Sequence, residues 1–239
     1  MGRLFLVRHA QASFLSQNYD QLSALGETQA RYLGKYWTRR GMIFDRVYAG
    51  PAHRHRRTAR IAGEAYRETG EVYPEPVILE EFDEFRGDAL LAQSLPQLRA
   101  KDPKIRDMHD AVQAAGDEMQ KRAAFQRLFE AVVTLWVNEQ IALQNVESWR
   151  EFGARVNRGL ARLFADSGKG ANIVVFTSGG PIGVAVQRAL HLSPQDTLQI
   201  MWMPRNSSWC EFLFSPDRFS LSSFNSHPHL DEDSLLTYR

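Results

Sequence analysis

The sequence predicts an α/β fold in which a mostly parallel sheet is covered by helices on both faces. Short apolar runs with the length of buried strands alternate along the chain with segments of helical periodicity. The clearest of these runs is residues 173–176, where four consecutive apolar residues are bounded by polar ones. Because strands that alternate with helices pair in parallel and are buried on both sides, we expect a three-layer α/β/α sandwich.

The first third of the chain supplies three strands and two helices of this prediction. Three short apolar runs are predicted as strands: residues 4–7, 47–48 and 77–79. Ser23 is a suitable N-cap for a helix that places Leu33 and Trp37 on one apolar face and ends at Gly41. A second helix is predicted from about residue 54 to residue 65.

The last third of the chain continues the alternation. Residues 179–181 are predicted to turn into a helix, with Pro181 near the first helical position, where its missing N–H is not needed. Residues 211–214 and 219–224 are predicted as a pair of strands joined by a turn at residues 215–217.

Residues 88–146 interrupt this pattern and are predicted as a helical insertion within a single domain of residues 1–239. The segment is rich in Ala, Gln, Leu and charged residues and has helical spacing at Phe125, Leu128 and Val132. We expect it to cap an active site, because loops near sites carry specificity. The alternative is an extra helical pair that extends the core or forms a dimer face.

Composition indicates an ordinary globular protein. At 239 residues, with 44% hydrophobic and 24% charged residues, the chain can bury a sizeable core. Its formal net charge of +1 argues against a general nucleic-acid binder. Cys210 is the single cysteine, which excludes an intrachain disulfide and suits a reducing compartment.

The sequence also predicts a cytoplasmic protein that has no membrane partner. A predicted strand begins almost at the first residue and leaves no room for a signal peptide, and no apolar stretch approaches the length that crosses a bilayer. The oligomeric state is left open, with a homodimer as one option. Trp136, Trp149 and Trp202 suit a core and an interface equally well.

His9 is the most informative residue, because it follows Arg8 at the end of the first predicted strand. Ligands of open α/β sheets bind outside the carboxyl ends of the strands. A neutral imidazole can act as a nucleophile and carry a phosphoryl group, and an adjacent guanidinium can bind phosphate oxygens through two N–H donors. The dipeptide alone is also compatible with an ordinary loop.

Five segments, in order along the chain, resemble the motifs of the histidine phosphatase superfamily, which includes phosphoglycerate mutases. They are LVRHAQAS (6–13), LSALG with QA (22–30), PAHR with TA (51–59), LEE (79–81) and TSGG (177–180). The resemblance covers most of the chain except the helical insertion. It implies a phosphatase that acts on a small phosphomonoester through a phosphohistidine, with neither a cofactor nor a metal ion.

The resemblance also implies roles for individual residues. His9 is the expected nucleophile, and Arg8 and Arg54 are the expected phosphate ligands. Backbone N–H groups at Gly179, where a helix begins, can hold an anion. Gln11, within the first motif, is an auxiliary candidate.

The proton donor is predicted within a cluster of acidic residues. Glu81 is the first choice, because a buried carboxyl near anionic phosphate has the raised pKa that a general acid requires. Glu84 is the second choice, and Glu80 and Asp83 crowd the same loop. A solvated acidic turn without catalytic function is the alternative.

Ser178 is the largest departure from the family pattern, which has a second histidine at this position. A serine hydroxyl can donate a hydrogen bond but cannot carry positive charge, and the loss of such a donor typically lowers the rate by about 10²–10³. We hypothesise that His53 or His55 supplies the missing imidazole. A phosphate-ligand binder with little turnover is the alternative function, and a mutase-type phosphotransferase is a further one.

Two pairs of histidines at alternate positions also suit a metal ion, because alternate residues of an extended segment share one face. The pairs are His53 with His55 and His227 with His229. Neither pair is accompanied by a cysteine cluster or by suitably spaced carboxylates. We therefore predict no metal site.

Overall fold

The computed structural model describes residues 1–13, 20–141 and 143–238, and within them one six-stranded sheet forms the centre of the fold. In chain order its strands are β1 (Gly2–Arg8), β2 (Arg46–Ala49), β3 (Val77–Ile78), β4 (Asn172–Thr177), β5 (Trp209–Ser215) and β6 (Arg218–Ser226). Their order across the sheet is β3-β2-β4-β1-β5-β6. The strands from β3 to β1 are parallel, whereas β5 and β6 are antiparallel at one edge.

The same residues form eight α-helices. They are α1 (Ala24–Arg39), α2 (His53–Arg67), α3 (Gly87–Lys101), α4 (Pro103–Ala114), α5 (Glu118–Val137), α6 (Trp149–Ala165), α7 (Gly179–Leu190) and α8 (Pro194–Met201). Helix α1 begins as predicted, because the Ser23 hydroxyl accepts a hydrogen bond from the Gly26 N–H. No helix in the described ranges is long and apolar enough to span a membrane.

One face of the sheet is covered by α1 and α2. Phe5 and Val7 of β1 belong to a buried cluster that includes Leu33 and Trp37 of α1 and Tyr66 of α2. These side chains alternate along β1 with residues that point to the opposite face, as the pleat of a strand requires. The hydrophobic pattern of the first helix therefore predicts its buried face correctly.

The opposite face of the sheet packs against α6. Leu4 of β1 pairs with Phe212 of β5, and Phe214 lies two residues further along the same face. The ring of Phe164 on α6 stacks on Phe214 with 4.7 Å between ring centroids and lies 5.3 Å from Phe219 of β6. Helices thus cover both faces of the sheet, as the sequence predicts.

Residues Phe85–Gly153 form a compact unit of their own, separate from the unit that contains the sheet. Its core is aromatic: Phe85 lies 4.9 Å from Trp136 between ring centroids, and the Phe125 and Phe129 rings stack at 6.0 Å. The unit contains α3, α4 and α5. A role for this segment as a cap stays a prediction.

The α/β fold and its mostly parallel sheet are confirmed, while several boundaries differ from the prediction. The third strand ends at Ile78 rather than at Leu79, because residues Glu80–Phe82 form a 3-10 helix that turns the chain away. Helix α7 begins at Gly179, so Pro181 is its third residue. Helices α6 and α8 were not predicted from the sequence.

Candidate active site

The carboxyl edge of the parallel strands brings the predicted residues together. Strands β1 and β4 are neighbours, and the His9 N–H just beyond β1 donates to the Thr177 carbonyl at the end of β4, over 2.8 Å. Ser178 follows Thr177 directly. On the other side of β4, strand β2 leads through Gly50 to α2, which carries Arg54 in its first turn.

His9 is buried, with 5% of its surface exposed, and its ring is held in one tautomer. Its Nδ1 lies 2.8 Å from the Ala10 carbonyl oxygen, which can only accept, so Nδ1 carries the proton and Nε2 keeps its lone pair. Burial lowers the pKa of His9 well below its usual value, and the charges of Arg54 and Arg8 lower it further. The ring is therefore a neutral imidazole with an available Nε2, which is the form that a nucleophile requires.

Two guanidinium groups accompany this imidazole. Arg8 is 9% exposed, and its Nη1 donates to the Pro204 carbonyl. The Nη1 of Arg54 donates to the Asp20 carboxylate over 2.8 Å, in an ion pair whose arginine side chain is 13% exposed. Both cations are thus held by protein partners near the carboxyl edge of the parallel strands.

His55 occupies the space beside His9 and Ser178. It is completely buried, its ring centroid lies 5.7 Å from that of His9, and its Nε2 lies 2.6 Å from the Ser178 hydroxyl oxygen. Burial lowers the pKa of His55 well below its usual value, and the charge of Arg54 lowers it further. The structure thus brings a second neutral imidazole to the position next to Ser178.

The glutamates of the acidic loop, residues 80–84, contact two different helices. Glu81 lies in the 3-10 helix, and its carboxylate is 3.5 Å from Nη1 of Arg162 on α6. Glu84 Oε2 instead accepts a hydrogen bond of 3.1 Å from the N–H of Gly180, in the first turn of α7. The second-choice acid is therefore the one that reaches the helix that begins at the site.

Asp83 lies between these two glutamates and is partly buried. Burial raises its pKa, although a hydrogen bond of 2.9 Å from the Glu84 N–H and the charge of Arg54 act in the opposite direction. The loop itself is fixed from two sides. Arg155 donates to its backbone carbonyls, and the Thr177 hydroxyl donates to the Phe82 carbonyl over 2.7 Å.

The remaining candidates have structural partners. The Gln11 N–H donates to the Gln29 side chain, and the Gln11 side-chain oxygen accepts from the Ser23 hydroxyl. Gly179 begins α7, and a Cβ there would lie 2.7 Å from the Met201 carbonyl oxygen, so only glycine fits this approach. His53 is exposed, and its Nδ1 lies 3.2 Å from the Asp20 carbonyl oxygen.

The two histidine pairs do not converge on one point. His53 and His55 have separate partners, and the Nδ1 of His227 donates to the Asn225 carbonyl. The Nε2 of His229 lies 2.8 Å from the Ser207 hydroxyl, and burial lowers the pKa of His229 to about 3. Within the described ranges, no group of three or more His, Cys, Asp or Glu residues is arranged to hold a metal ion.

Several residues that were not predicted from the sequence support the loop that carries His9. The side-chain amide of Asn206 donates to the His9 carbonyl over 3.1 Å, and the Ser207 N–H donates to the same oxygen over 3.3 Å. Ser207 has a positive φ of 59°. Asp20, the partner of Arg54, was also missed. These contacts join residues up to 198 positions apart, and no local pattern signals them.

Comparisons with known proteins agree with this architecture. The sequence matches the family described as the histidine phosphatase superfamily (branch 1) over residues 4–125 and 113–227. None of the curated proteins compared matches.

Two solved structures illustrate the similarity of the fold. One is a phosphoserine phosphatase mutant from Entamoeba histolytica in complex with phosphoserine, with 17% identity, a TM-score of 0.61, and coverage of 96% of this chain and 100% of that one. The other is a mycobacterial glucosyl-3-phosphoglycerate phosphatase in complex with inorganic phosphate. It has 20% identity, a TM-score of 0.64, and coverage of 96% and 99%.

Proposed function

Because the chain belongs to the histidine phosphatase superfamily and is a phosphatase of that family, we propose that it hydrolyses a small phosphomonoester through a phosphohistidine on His9. The observation that carries this proposal is the buried, neutral imidazole of His9, whose Nε2 is available beside Arg8 and Arg54. A protein that only binds phosphate needs the two cations but has no need of a nucleophile held in one tautomer.

In the first step, the His9 Nε2 attacks the phosphorus atom of the ester. The Nε2–P bond forms while the bond from phosphorus to the ester oxygen breaks, and the leaving oxygen takes a proton from a carboxylic acid. Arg8 and Arg54 bind the oxygens of the phosphoryl group, on which the negative charge is spread. The alcohol product then leaves.

In the second step, water hydrolyses the phosphohistidine. The carboxylate that has given up its proton takes one from the water molecule, whose oxygen attacks phosphorus as the Nε2–P bond breaks. Inorganic phosphate is released, and the free imidazole and the protonated acid are restored. No redox group or metal ion takes part in this sequence.

We assign the acid to Glu84 rather than to Glu81. Two observations support this choice: Glu84 contacts the N–H of Gly180 next to Ser178, and Glu81 contacts Arg162 on α6. Asp83 is the alternative, since burial raises its pKa, as a proton donor requires, although the charge of Arg54 acts in the opposite direction.

The substrate class of this proposal is a small phosphomonoester. The similar structures contain phosphoserine and inorganic phosphate, which are of this size and charge. The two largely buried guanidinium groups of Arg8 and Arg54 give the site a local positive charge that favours anionic substrates.

The test is phosphate release from a nitrophenyl phosphate in the presence of a chelator, by the unaltered protein and by His9→Ala. We expect release by the former and its loss in the variant. His191→Asn is the matched control, because His191 is an exposed residue at the far end of α7 with a positive φ that asparagine tolerates. Release that survives in His9→Ala, or that requires an added metal ion, would contradict the proposal. Phosphate binding without release by any variant would favour a phosphate-ligand binder.

A further inference from the structure

Three polar side chains are enclosed together at the carboxyl edge of β1 and β4. His9, His55 and Ser178 are 5%, 0% and 2% exposed, and each faces at least one of the others. Buried polar groups are costly unless they are hydrogen-bonded, so such a cluster requires a reason. The two contacts, of 5.7 Å between rings and 2.6 Å between His55 and Ser178, connect the nucleophile to the serine through the second imidazole.

Ser178 does not use its hydroxyl in the way its position favours. It is the N-cap residue of α7, with extended backbone angles of −123° and −179°, and serine there normally accepts a hydrogen bond from the helix backbone. Its side chain makes no such bond, and its hydroxyl lies against Nε2 of His55 instead. The Ser178 hydroxyl therefore contacts the His55 ring in the site rather than capping the helix that follows it.

Room for the His55 ring is provided by Gly50. A Cβ at this position would lie 2.4 Å from Nδ1 of His55, a distance that no side chain allows. Gly50 also donates its N–H to the Phe176 carbonyl and is thereby fixed to β4. The imidazole thus occupies a fitted space between the backbone that follows β2 and the residue that follows β4.

The hydrogen-bond inventory of the ring indicates the direction of the contact with Ser178. The Nδ1 atom of His55 is buried and has no hydrogen-bond partner among the residues that the structure describes. A buried N–H donor without a partner is rarer than a bare acceptor. Nε2 therefore carries the proton and donates to the Ser178 oxygen, which leaves the serine O–H to donate elsewhere.

We propose that His55 and Ser178 form a two-residue relay, in which His55 Nε2–H holds the Ser178 oxygen and the Ser178 O–H donates to the phosphoryl group during its transfer to His9. Ser178 is the residue that contacts the substrate, and His55 is a positioning residue. The relay restores a hydrogen-bond donor at the position where the family has a histidine. This inference rests on the proposed phosphatase function.

Four variants test the relay in single-turnover and steady-state assays with a nitrophenyl phosphate. We expect Ser178→Ala and His55→Ala each to lower kcat by about 10²-fold with a small change in KM, as for the loss of one donor to a transition state. We expect the double variant to be no slower than either single variant, because His55 acts only by positioning the Ser178 hydroxyl and has no further effect once that hydroxyl is removed. His55→Gln, whose amide can still donate to Ser178, is expected to recover part of the rate.

The sharpest test moves the imidazole from position 55 to position 178. The double substitution Ser178→His with His55→Ala places an imidazole directly at position 178, and we expect it to be at least tenfold faster than His55→Ala alone. The rate of phosphoenzyme formation, measured by rapid quenching in base, should follow the same order. His191→Asn again serves as the control, and thermal unfolding identifies any variant that is poorly folded. The nearly isosteric Ser178→Ala keeps the test valid if His55→Ala fails to fold.

The outcomes separate the two proposals. Loss of activity in His9→Ala together with normal rates in both Ser178→Ala and His55→Ala would overturn the relay and leave the phosphatase in place. Full activity in His9→Ala would overturn the proposed phosphohistidine mechanism, and the relay with it. A phosphoenzyme that is stable in acid, labile in base and absent from Ser178→Ala would show that Ser178 is a nucleophile, which also overturns the relay.

Discussion

Helices α2 and α7 both begin at the candidate site, and neither is capped by its own N-cap side chain. Ala52 precedes α2 and has no acceptor, whereas Ser178 precedes α7 and does not bond to it. A carboxylate from another segment binds the backbone in each case. Asp20 accepts from two N–H groups of α2, over 2.7 and 3.3 Å, and Glu84 accepts from one N–H of α7 over 3.1 Å.

The first turns of α2 and α7 differ in the side chains that they present. The first turn of α2 presents the Arg54 guanidinium, whereas the first turn of α7, Gly179-Gly180-Pro181-Ile182, carries no charged side chain. Helix N-termini attract anions through their unpaired N–H groups and through the helix dipole. Under the proposed function, α2 would supply fixed charge for a phosphate group, and α7 would supply backbone hydrogen-bond donors and, through Glu84, a proton.

The largest expected effect is the removal of the charge at α2. Arg54→Ala should lower kcat/KM for a nitrophenyl phosphate by about 10³-fold, because the phosphoryl oxygens lose a cation in a buried site. Arg54→Lys should recover only part of this loss, since an ammonium cannot form two parallel hydrogen bonds. Arg57→Ala, on the same helix and paired with Glu27, is the control and should leave kcat/KM unchanged. An equal loss in Arg57→Ala would indicate that the total charge of α2 matters rather than Arg54.

The second effect concerns the acid at α7. Glu84→Gln should lower kcat by about 10²-fold for an alkyl phosphate, whose leaving oxygen needs a proton, and by much less for a nitrophenyl phosphate, whose leaving group does not. Steady-state assays with both substrates measure the ratio of the two losses in kcat. The comparison variants are Glu81→Gln and Asp83→Asn. If either of them, rather than Glu84→Gln, shows the dependence on the leaving group, the acid is that residue.

A smaller effect is expected when the carboxylate at α2 is neutralised. Asp20→Asn keeps an oxygen for the backbone of α2 but removes the ion pair with Arg54. We expect inorganic phosphate to inhibit the variant a few-fold more strongly, because Arg54 becomes more available to an anion. Unfolding free energy should fall by about 1 kcal/mol or less. Weaker inhibition by phosphate would mean instead that Asp20 holds Arg54 in its binding position.

The last effect concerns stability at mildly acidic pH rather than catalysis. Burial lowers the pKa of His9, His55 and His229 in the folded protein, whereas unfolded histidines titrate near pH 6.5. The unfolded chain therefore binds more protons below about pH 6.5, and the unfolding free energy should decrease as the pH falls below that value, by up to about 1.4 kcal/mol per pH unit for each group. Urea unfolding between pH 7.5 and 5 measures this slope. His55→Gln should reduce it, and an unchanged slope would show that His55 is not neutral in the folded state.

The sequence predicts the parts of the site that follow from strand order. His9 ends one apolar run, and Arg54 follows another, so a parallel sheet necessarily brings both to the same edge. The choice among the acidic residues could not be made in this way. Because the chain turns into a 3-10 helix after Leu79, the alternation of a strand no longer predicts where Glu81 and Glu84 point.

The histidines of α2 show why other residues of the site could not be predicted from the sequence. Treated as an extended segment, His53 and His55 share one face, whereas in a helix residues two positions apart lie on nearly opposite sides. The helix begins at His53, one residue before the predicted start, so His53 is exposed and His55 is fully buried. A shift of one residue in a helix boundary thus separates a surface histidine from a site histidine.

The hydrogen bond from the His9 Nδ1 to the Ala10 carbonyl would also fix the regiochemistry of a phosphohistidine at this residue. An imidazole can carry a phosphoryl group on either of its two nitrogens, and the products are distinct isomers. Here the nitrogen nearer the main chain is occupied by a proton that a neighbouring peptide group accepts. A phosphorylated form of this protein would therefore be the Nε2-linked isomer alone, and that selection is made by the backbone next to the nucleophile, without a carboxylate partner for the ring.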